Sequence, residues 1–241
     1  MTKTPSEKKI PRSIAIIPSA GMGKRMGTKK KVFLPLLERP ILAHTVAAFE
    51  NSPFIDSIII AVPEDQLEYS NEEIVKRYGF KKVLAVVAGA TERQGSVLNA
   101  LKRVPEGFEI TAVHDGARPL VTARVIEDIV TGAARSGAAI PVVKIKDTVK
   151  EVSGGRVKRT LDRELLRAVQ TPQAFKTDIL IKAFERAAGD GYKGTDESSL
   201  VERTGVIVTT VEGSNENIKI TTPEDLLIAE SILRRRGAAK R

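Results

Sequence analysis

The chain has 241 residues, 41% of them hydrophobic and 29% charged, a length and balance that suit one large domain with a substantial core. It contains no cysteine and only two histidines, His44 and His114, which excludes a disulfide framework, a thiolate nucleophile, a zinc–thiolate site and a three-histidine metal centre. Its net charge of +9 favours anionic partners, but seven phenylalanines, three tyrosines and no tryptophan are too few and scattered for a base-stacking platform, which weakens a nucleic-acid reading.

In chain order, residues 1–12 read as a basic flexible tail. They lack the apolar segment of a secretory signal, and no apolar run approaches the ~20 residues needed to span a bilayer, so a cytoplasmic protein without membrane contact is expected. Ser13–Pro18, Ser57–Val62, Lys82–Val87, Ile110–His114 and Ala138–Val143 are short Ile- and Val-rich runs that predict strands. Between and after them, Pro40–Glu50, Glu64–Tyr78, Glu92–Arg103, Thr122–Arg135, Thr177–Ala188 and Pro223–Arg235 place apolar residues at three- and four-residue spacing and predict helices. The last starts well, with Thr222 as N-cap, Pro223 in the first turn, and Glu224 and Asp225 near the positive end of the dipole.

Apolar strands alternating with helices predict an α/β fold: a Rossmann-like domain over 13–236, with a mostly parallel buried sheet and helices on both faces. A basic tail over 237–241 follows it. One segment breaks the alternation. Lys144–Lys150, the turn Ser153-Gly154-Gly155 and Arg156–Leu161 alternate polar and apolar residues around a glycine pair, which predicts a β-hairpin. Its lysines and arginines suit a projecting arm over about 144–161 better than a buried sheet. An isolated hairpin needs a surface to lie on, and a two-fold partner offering the same arm is the commonest solution.

The run after the first strand, Pro18-Ser19-Ala20-Gly21-Met22-Gly23-Lys24-Arg25-Met26-Gly27, carries the most chemistry. Glycines there let backbone N–H groups turn inward onto phosphate oxygens. It is neither a Walker A loop nor a dinucleotide fingerprint, because its glycine spacing fits neither. Arg25 and the Lys29–Lys31 run add cations around the same loop and favour a polyphosphate over a plain glycine turn. Asp115 follows an apolar strand, where an open α/β sheet places its ligands, although Asp115-Gly116 also reads as a turn. Arg118 reads as a phosphate contact or as a residue that orders its loop. His114 reads as a packed strand residue. Arg93 and Ser96 share one helix face, Thr195-Asp196-Glu197 reads as a helix cap with an acidic first turn, and Lys219 lies in an alternating run where a solvated lysine is unremarkable.

The glycine loop, followed by a lysine before Leu34-Pro35-Leu36, resembles the signature of sugar-phosphate nucleotidyltransferases. Gly89–Val97, Val113–Pro119, Asp147-Thr148, Leu161-Asp162-Arg163, Gln170–Phe175, Thr195-Asp196-Glu197 and Asn217–Thr221 then follow in the order seen in the 2-C-methyl-D-erythritol 4-phosphate cytidylyltransferase family. The resemblance spans about residues 13–233. It implies cytidylyl transfer from CTP to a sugar-alcohol phosphate, with Mg²⁺ or another divalent cation and no organic cofactor. Pro18, Ser19, Ala20, Gly21, Gly23, Arg93, Ser96 and Gly116 would then hold the nucleotide, and Asp115 the Mg²⁺. Arg25 and Lys31 would stabilise charge on the phosphates, Arg163, Lys219 and Thr148 would orient the acceptor phosphate, and Arg118, Thr171 and Thr195 would be further substrate contacts. It also implies a homodimer through the arm, with Thr148 and Arg163 reaching the other chain.

The chain departs from the family pattern at Ser19, where Ala or Gly is usual, and at Gly116, where Ala or Ser is usual. Lys30 and Val32 stand where Pro and Gln are frequent, which leaves the catalytic lysine within Lys29–Lys31; Lys31 is assigned because it directly precedes Val32-Phe33. A ribitol-5-phosphate cytidylyltransferase is the nearest alternative, disfavoured by Asp147-Thr148 and Asp162-Arg163. A basic nucleic-acid binder without catalysis is a more distant one.

Overall fold

A computed structural model describes residues 11–21 and 30–238 of the chain; the outermost residues of both predicted tails lie outside them. Strand β1 (Ser13–Pro18) pairs in parallel with β4 (Ser57–Val62) on one side and β6 (Ile110–Val113) on the other, and β4 pairs in parallel with β5 (Val83–Ala88). Alternation along β1 explains its central place. Ile14 and Ile16 face one apolar layer, formed with α3 (Arg93–Leu101), α5 (Thr177–Gly189) and α6 (Glu197–Glu202). Ala15 and Ile17 face the opposite layer, formed with α1 (Ile41–Glu50) and α4 (Ala123–Ser136). Each isoleucine of β1 is fully buried, worth about 2–3 kcal/mol apiece. The caps of α4 are written in its sequence: the Thr122 side chain accepts from Val125 N–H, and Gly137 closes the helix at φ +91°.

Beyond β6 the sheet becomes mixed. β11 (Gln173–Lys176) runs antiparallel to β6 and to β7 (Ala138–Lys144), so β7 points the same way as β1. β10 (Arg167–Val169) follows β11's edge of β7, antiparallel to it, and β12 (Thr209–Glu212) runs parallel to β7 on the opposite edge. Six of the eight strands thus share one direction, the mostly parallel sheet expected. Strands β10, β11 and β12 are additions to the predicted order, while α6 starts where Thr195-Asp196-Glu197 reads as a helix cap.

Three boundaries need correction. Lys144 ends β7 inside the main sheet, so the arm's strands are shorter than expected: β8 (Lys150–Ser153) and β9 (Arg156–Thr160). Among the described residues they pair only with each other, around Gly154 and Gly155 at φ +56° and +72°, the two left-handed positions that a two-residue hairpin turn requires. The predicted helix over 64–78 starts as a 3₁₀ turn, passes through α2 (Leu67–Tyr69) and widens into a π-helical stretch over Ser70–Lys76. Helix α7 (Pro223–Ala238) outlasts its predicted end at Arg235 and the domain boundary at 236. Its start is a reciprocal cap: Thr222 Oγ1 accepts from Asp225 N–H, and Asp225 accepts from the N–H groups of Thr221 and Thr222. The short strands β2 (Pro35–Leu36) and β3 (Arg39–Pro40) and 3₁₀ turns at Lys31–Phe33 and Arg163–Leu165 complete the described elements, with α7 packed over Leu36 and Ile41.

Candidate active site

From β1 the chain moves outward to β4 and β5, then returns to place β6 on β1's other side. The carboxyl ends of β1 and β6 therefore flank a topological switch point, the crevice where open α/β sheets bind ligands. β1 delivers Ser19, Ala20 and Gly21 there, and β6 delivers His114, Asp115 and Gly116. The turn after β1 is anchored on both sides: Ser19 N–H donates to Ala61 O of β4 at 2.6 Å, and Gly116 N–H from the turn after β6 donates to Pro18 O at 3.2 Å. Ser19 N–H is thus already engaged and is not available to a phosphate; the described part of the loop leaves that task to Ala20 and Gly21.

Asp115 is the electrostatic centre. Its Oδ1 accepts from Arg93 Nε at 2.8 Å, and its Oδ2 lies 2.7 Å from Lys219 Nζ and 3.7 Å from Arg118 Nε. Burial alone would push its carboxyl up, but the charges and hydrogen bonds of Arg93 and Lys219 outweigh burial and hold it well below the usual carboxylate range. Arg93, the first residue of α3, also reaches Glu197 with Nη1, at 2.6 and 2.9 Å from the two carboxylate oxygens. Burial raises the Glu197 carboxyl, against the pull of Arg93. Arg118 donates to Asn217 O at 2.7 Å; Asn217 in turn donates to Thr171 O at 2.8 Å, and Ile220 N–H donates to Ala117 O. The segment carrying Lys219 is thereby fixed against the Asp115 loop.

His114 serves the architecture, as expected of a packed strand residue. It is fully buried against Phe49, and burial pushes its pKa down to about 4, so it is neutral. Thr171 Oγ1 accepts from Asp115 N–H at 3.1 Å, which leaves its own hydrogen for His114 Nδ1 at 3.1 Å; His114 Nε2 then donates to Arg118 O at 2.9 Å. The hydroxyl of Thr171 therefore supports Asp115 from behind.

Two hollows open at this centre. One, of about 360 Å³, is walled by the Pro18–Gly21 turn, Lys31, Arg93, Ser96, Asp115, Gly116 and Lys219. The other, of about 240 Å³, adds Arg118, Thr171 and Thr195 to the shared Arg93, Asp115 and Lys219. The expected nucleotide and substrate residues are thus brought together, with four exceptions. Gly23 and Arg25 lie outside the described residues. Thr148 and Arg163 line neither hollow: Thr148 is exposed at the base of the arm, and Arg163 donates to Lys146 O at 2.7 Å in a separate groove with Lys144 and Arg167.

Of the three candidate lysines, Lys29 lies outside the described residues. Lys31 lines the larger hollow, whereas Lys30 Nζ is 2.9 Å from Asp65 Oδ2. Ser96 also lines the hollow, but its hydroxyl is held by Ala90 N–H at 2.9 Å and lies within bonding distance of the Ala90 and Glu92 carbonyls, so it shapes the turn before α3. Thr195 precedes Asp196, which caps α6 by accepting from Ser199 N–H as the sequence predicts. Glu197 is the residue the sequence did not reveal. It looks like an ordinary first-turn acid, and its partner Arg93 is 104 residues away. Ser19 and Gly116, the two departures from the family pattern, face each other: a Cβ on Gly116 would lie 2.1 Å from Ser19 Oγ.

The chain is similar to known proteins over nearly its whole length. The profile of the family described as IspD, 2-C-methyl-D-erythritol 4-phosphate cytidylyltransferase, matches residues 13–235. A protein of that name from Bacillus cereus is 51% identical over 220 residues, covering 91% of this chain and 96% of the relative. Another from Geotalea uraniireducens is 46% identical over 226 residues, covering 92% and 97%. The crystal structure of 4-diphosphocytidyl-2C-methyl-D-erythritol synthase from Anaerococcus prevotii superposes with a TM-score of 0.82 at 30% identity, covering 93% of this chain and 99% of that one. The 2-C-methyl-D-erythritol 4-phosphate cytidylyltransferase of Thermus thermophilus gives 0.76 at 32% identity, covering 92% and 99%.

Proposed function

The chain belongs to the 2-C-methyl-D-erythritol 4-phosphate cytidylyltransferase family, and we propose that it transfers the cytidylyl group of CTP to 2-C-methyl-D-erythritol 4-phosphate, a step of non-mevalonate isoprenoid precursor synthesis. One observation carries the reading: Arg93, Asp115 and Lys219 line both hollows, so a nucleotide in the larger and a phosphorylated acceptor in the smaller would meet over the same charged centre. An oxygen of the acceptor phosphate attacks the α-phosphorus of CTP. The new O–P bond forms as the bond to the bridging oxygen breaks, and the electron pair leaves with pyrophosphate.

A phosphate nucleophile is already anionic and needs no base. His114 accords with this, being neutral and bonded through both ring nitrogens. What the reaction needs is positioning and cancellation of negative charge. Lys31, Arg93, Arg118 and Lys219 supply four positive charges around Asp115 and Glu197. Lys219, half-exposed and at the seam of the two hollows, is placed to exchange Asp115 for an incoming phosphate. Arg25 is assigned to the same charge stabilisation on the sequence pattern alone.

The donor set fits Mg²⁺ in one particular way. Asp115 is ionised and sits at the floor of the crevice, and the described residues contain no cluster of three or more candidate ligand side chains. Mg²⁺ is commonly held by one carboxylate together with substrate phosphates. Asp115 would hold such an ion with CTP, and the ion would offset charge on the triphosphate.

The proposal includes a homodimer. Among the described residues β8 and β9 pair with no other strand; they expose Val152 and Val157, and Leu165, which follows them in sequence, is 82% exposed. Such a hairpin is stable only against another surface, and a partner's crevice gives Thr148 and Arg163 an acceptor phosphate to reach. No described helix is long and apolar enough to cross a membrane; a cytoplasmic location belongs to the proposal because both substrates are phosphorylated metabolites.

The test is pyrophosphate release from CTP with and without the methylerythritol phosphate, at several Mg²⁺ concentrations. Release should require both substrates and the cation. Release from CTP alone, or faster turnover with ribitol 5-phosphate, would overturn the acceptor assignment.

A further inference from the structure

Ser19 is buried, yet its side chain is poorly satisfied. Among the described residues its hydroxyl donates only to Ile17 O, over a long 3.4 Å. Buried hydroxyls normally find a closer partner, and this one lines the larger hollow beside Asp115 and Gly116. Its backbone N–H is engaged by Ala61 O, so the hydroxyl is the donor that Ser19 can offer a ligand.

The neighbour opposite is no incidental glycine. A Cβ at residue 116 would lie 2.1 Å from Ser19 Oγ, 3.2 Å from Ser19 Cβ and 3.5 Å from Ile17 Cγ2. The Ser19 oxygen therefore fills the space that any side chain at 116 would enter. The backbone of Gly116 has little room to retreat, since its N–H is bonded to Pro18 O and its carbonyl accepts from Thr45 Oγ1 at 2.9 Å. Gly116 is not at positive φ. Its small size answers the Ser19 hydroxyl, not a backbone strain.

We propose that Ser19 and Gly116 form one interchangeable unit, in which the Ser19 hydroxyl is a direct hydrogen-bonding contact to the bound nucleotide and Gly116 exists to make room for it. The same contact can be delivered from the other side of the crevice. A serine at 116 carries its oxygen one bond beyond a Cβ that already overlaps the Ser19 hydroxyl, provided residue 19 has lost its own oxygen. The remaining 3.2 Å approach between the two Cβ atoms requires residue 19, rather than the held backbone of residue 116, to give by a few tenths of an ångström. The proposal rests on the reading of this hollow as a CTP site.

The experiment is a four-variant kinetic cycle on the full chain: Ser19→Ala, Gly116→Ser, and the doubles Ser19→Ala with Gly116→Ser and Ser19→Ala with Gly116→Ala. The readouts are KM for CTP, kcat and melting temperature. Losing one hydroxyl contact should raise KM for CTP roughly tenfold in Ser19→Ala without lowering its melting temperature. Gly116→Ser alone should be worse. Adding Gly116→Ser to Ser19→Ala should bring KM back to within about threefold of wild type, whereas adding Gly116→Ala should not.

The second double separates contact from packing, because both doubles fill the space and only one restores an oxygen. A Ser19→Ala enzyme with wild-type KM overturns the proposal. So does equal recovery in the two doubles, and so does a serine double no better than Ser19→Ala alone. If the wild-type chain itself fails to release pyrophosphate from CTP and the acceptor, the functional reading falls and this proposal with it.

Discussion

Removing Glu197 tests whether the charged centre is built as a chain from Glu197 through Arg93 to Asp115. The Glu197 side chain is 2% exposed and takes both its bonds from Arg93 Nη1. Truncating one member of a buried ion pair typically costs about 3–5 kcal/mol, chiefly because the other charge is left in a poor environment. Arg93 would keep Asp115, which places Glu197→Ala near the lower end, and the lost carboxylate in the first turn of α6 adds about 0.3–1 kcal/mol. The expected cost is thus about 3–4 kcal/mol. A domain stable by about 5–15 kcal/mol would remain folded but clearly weakened. Glu197→Gln keeps an acceptor for Nη1 and should cost about 1–2 kcal/mol. Urea unfolding measures this directly, as a lowered midpoint at unchanged slope. A change below about 1 kcal/mol in Glu197→Ala would refute the chain, since Arg93 would then be held adequately by Asp115 alone.

Other expectations follow from the same centre. Asp115→Asn should abolish turnover at any Mg²⁺ concentration and leave the circular dichroism intact, with a lowered melting temperature because Arg93, Arg118 and Lys219 lose their shared counter-charge; near-normal activity would reduce Asp115 to a turn residue. Lys31→Ala should lower kcat by roughly two to three decades, while Lys30→Ala, whose lysine pairs with Asp65 at the surface, should change it little; the reverse order would move the catalytic register. Stability should also depend on pH through His114. Its folded pKa is depressed to about 4, so the unfolded chain binds the proton first, and stability is full above about pH 6.5 and falls as pH drops toward 4. The difference corresponds to about 3 kcal/mol, and urea midpoints at pH 7 and 4.5 should show a shallower acid loss in His114→Gln than in wild type.

Most of the sheet was legible because its strands are continuous apolar runs. Ser13–Pro18 and Ser57–Val62 are strands over the residues predicted, since unbroken Ile and Val runs are what a strand covered on both faces requires. β10, β11 and β12 were not legible for the opposite reason. Arg-Ala-Val, Gln-Ala-Phe-Lys and Thr-Thr-Val-Glu are short, and β10 and β12 are exposed or half-buried, so their pairing with β7 is decided by tertiary contact rather than local pattern. The π-helical stretch over Ser70–Lys76 has no mark in the apolar spacing.

The site divides along the same line. Lys31, Arg93, Asp115, Arg118, Thr171, Thr195 and Lys219 stand in motifs that can be read along the chain, and they converge on one crevice. What those side chains do there depends on partners far away in sequence. Thr171 turned out to be occupied by Asp115 and His114, Ser96 by its own turn, and Glu197 by an arginine on another helix. The mutual exclusion of Ser19's hydroxyl and a side chain at 116 is likewise visible only when β1 and β6 are side by side.

Cytidylyl transfer between two phosphates at the Asp115 crevice is most directly tested by following the α-phosphorus itself. With CTP labelled at that position, 2-C-methyl-D-erythritol 4-phosphate and Mg²⁺, the label should pass entirely into a cytidine diphosphate joined to the methylerythritol, with unlabelled pyrophosphate released in equal amount. Label recovered as CMP, or transferred to ribitol 5-phosphate at a higher kcat/KM, would contradict the account.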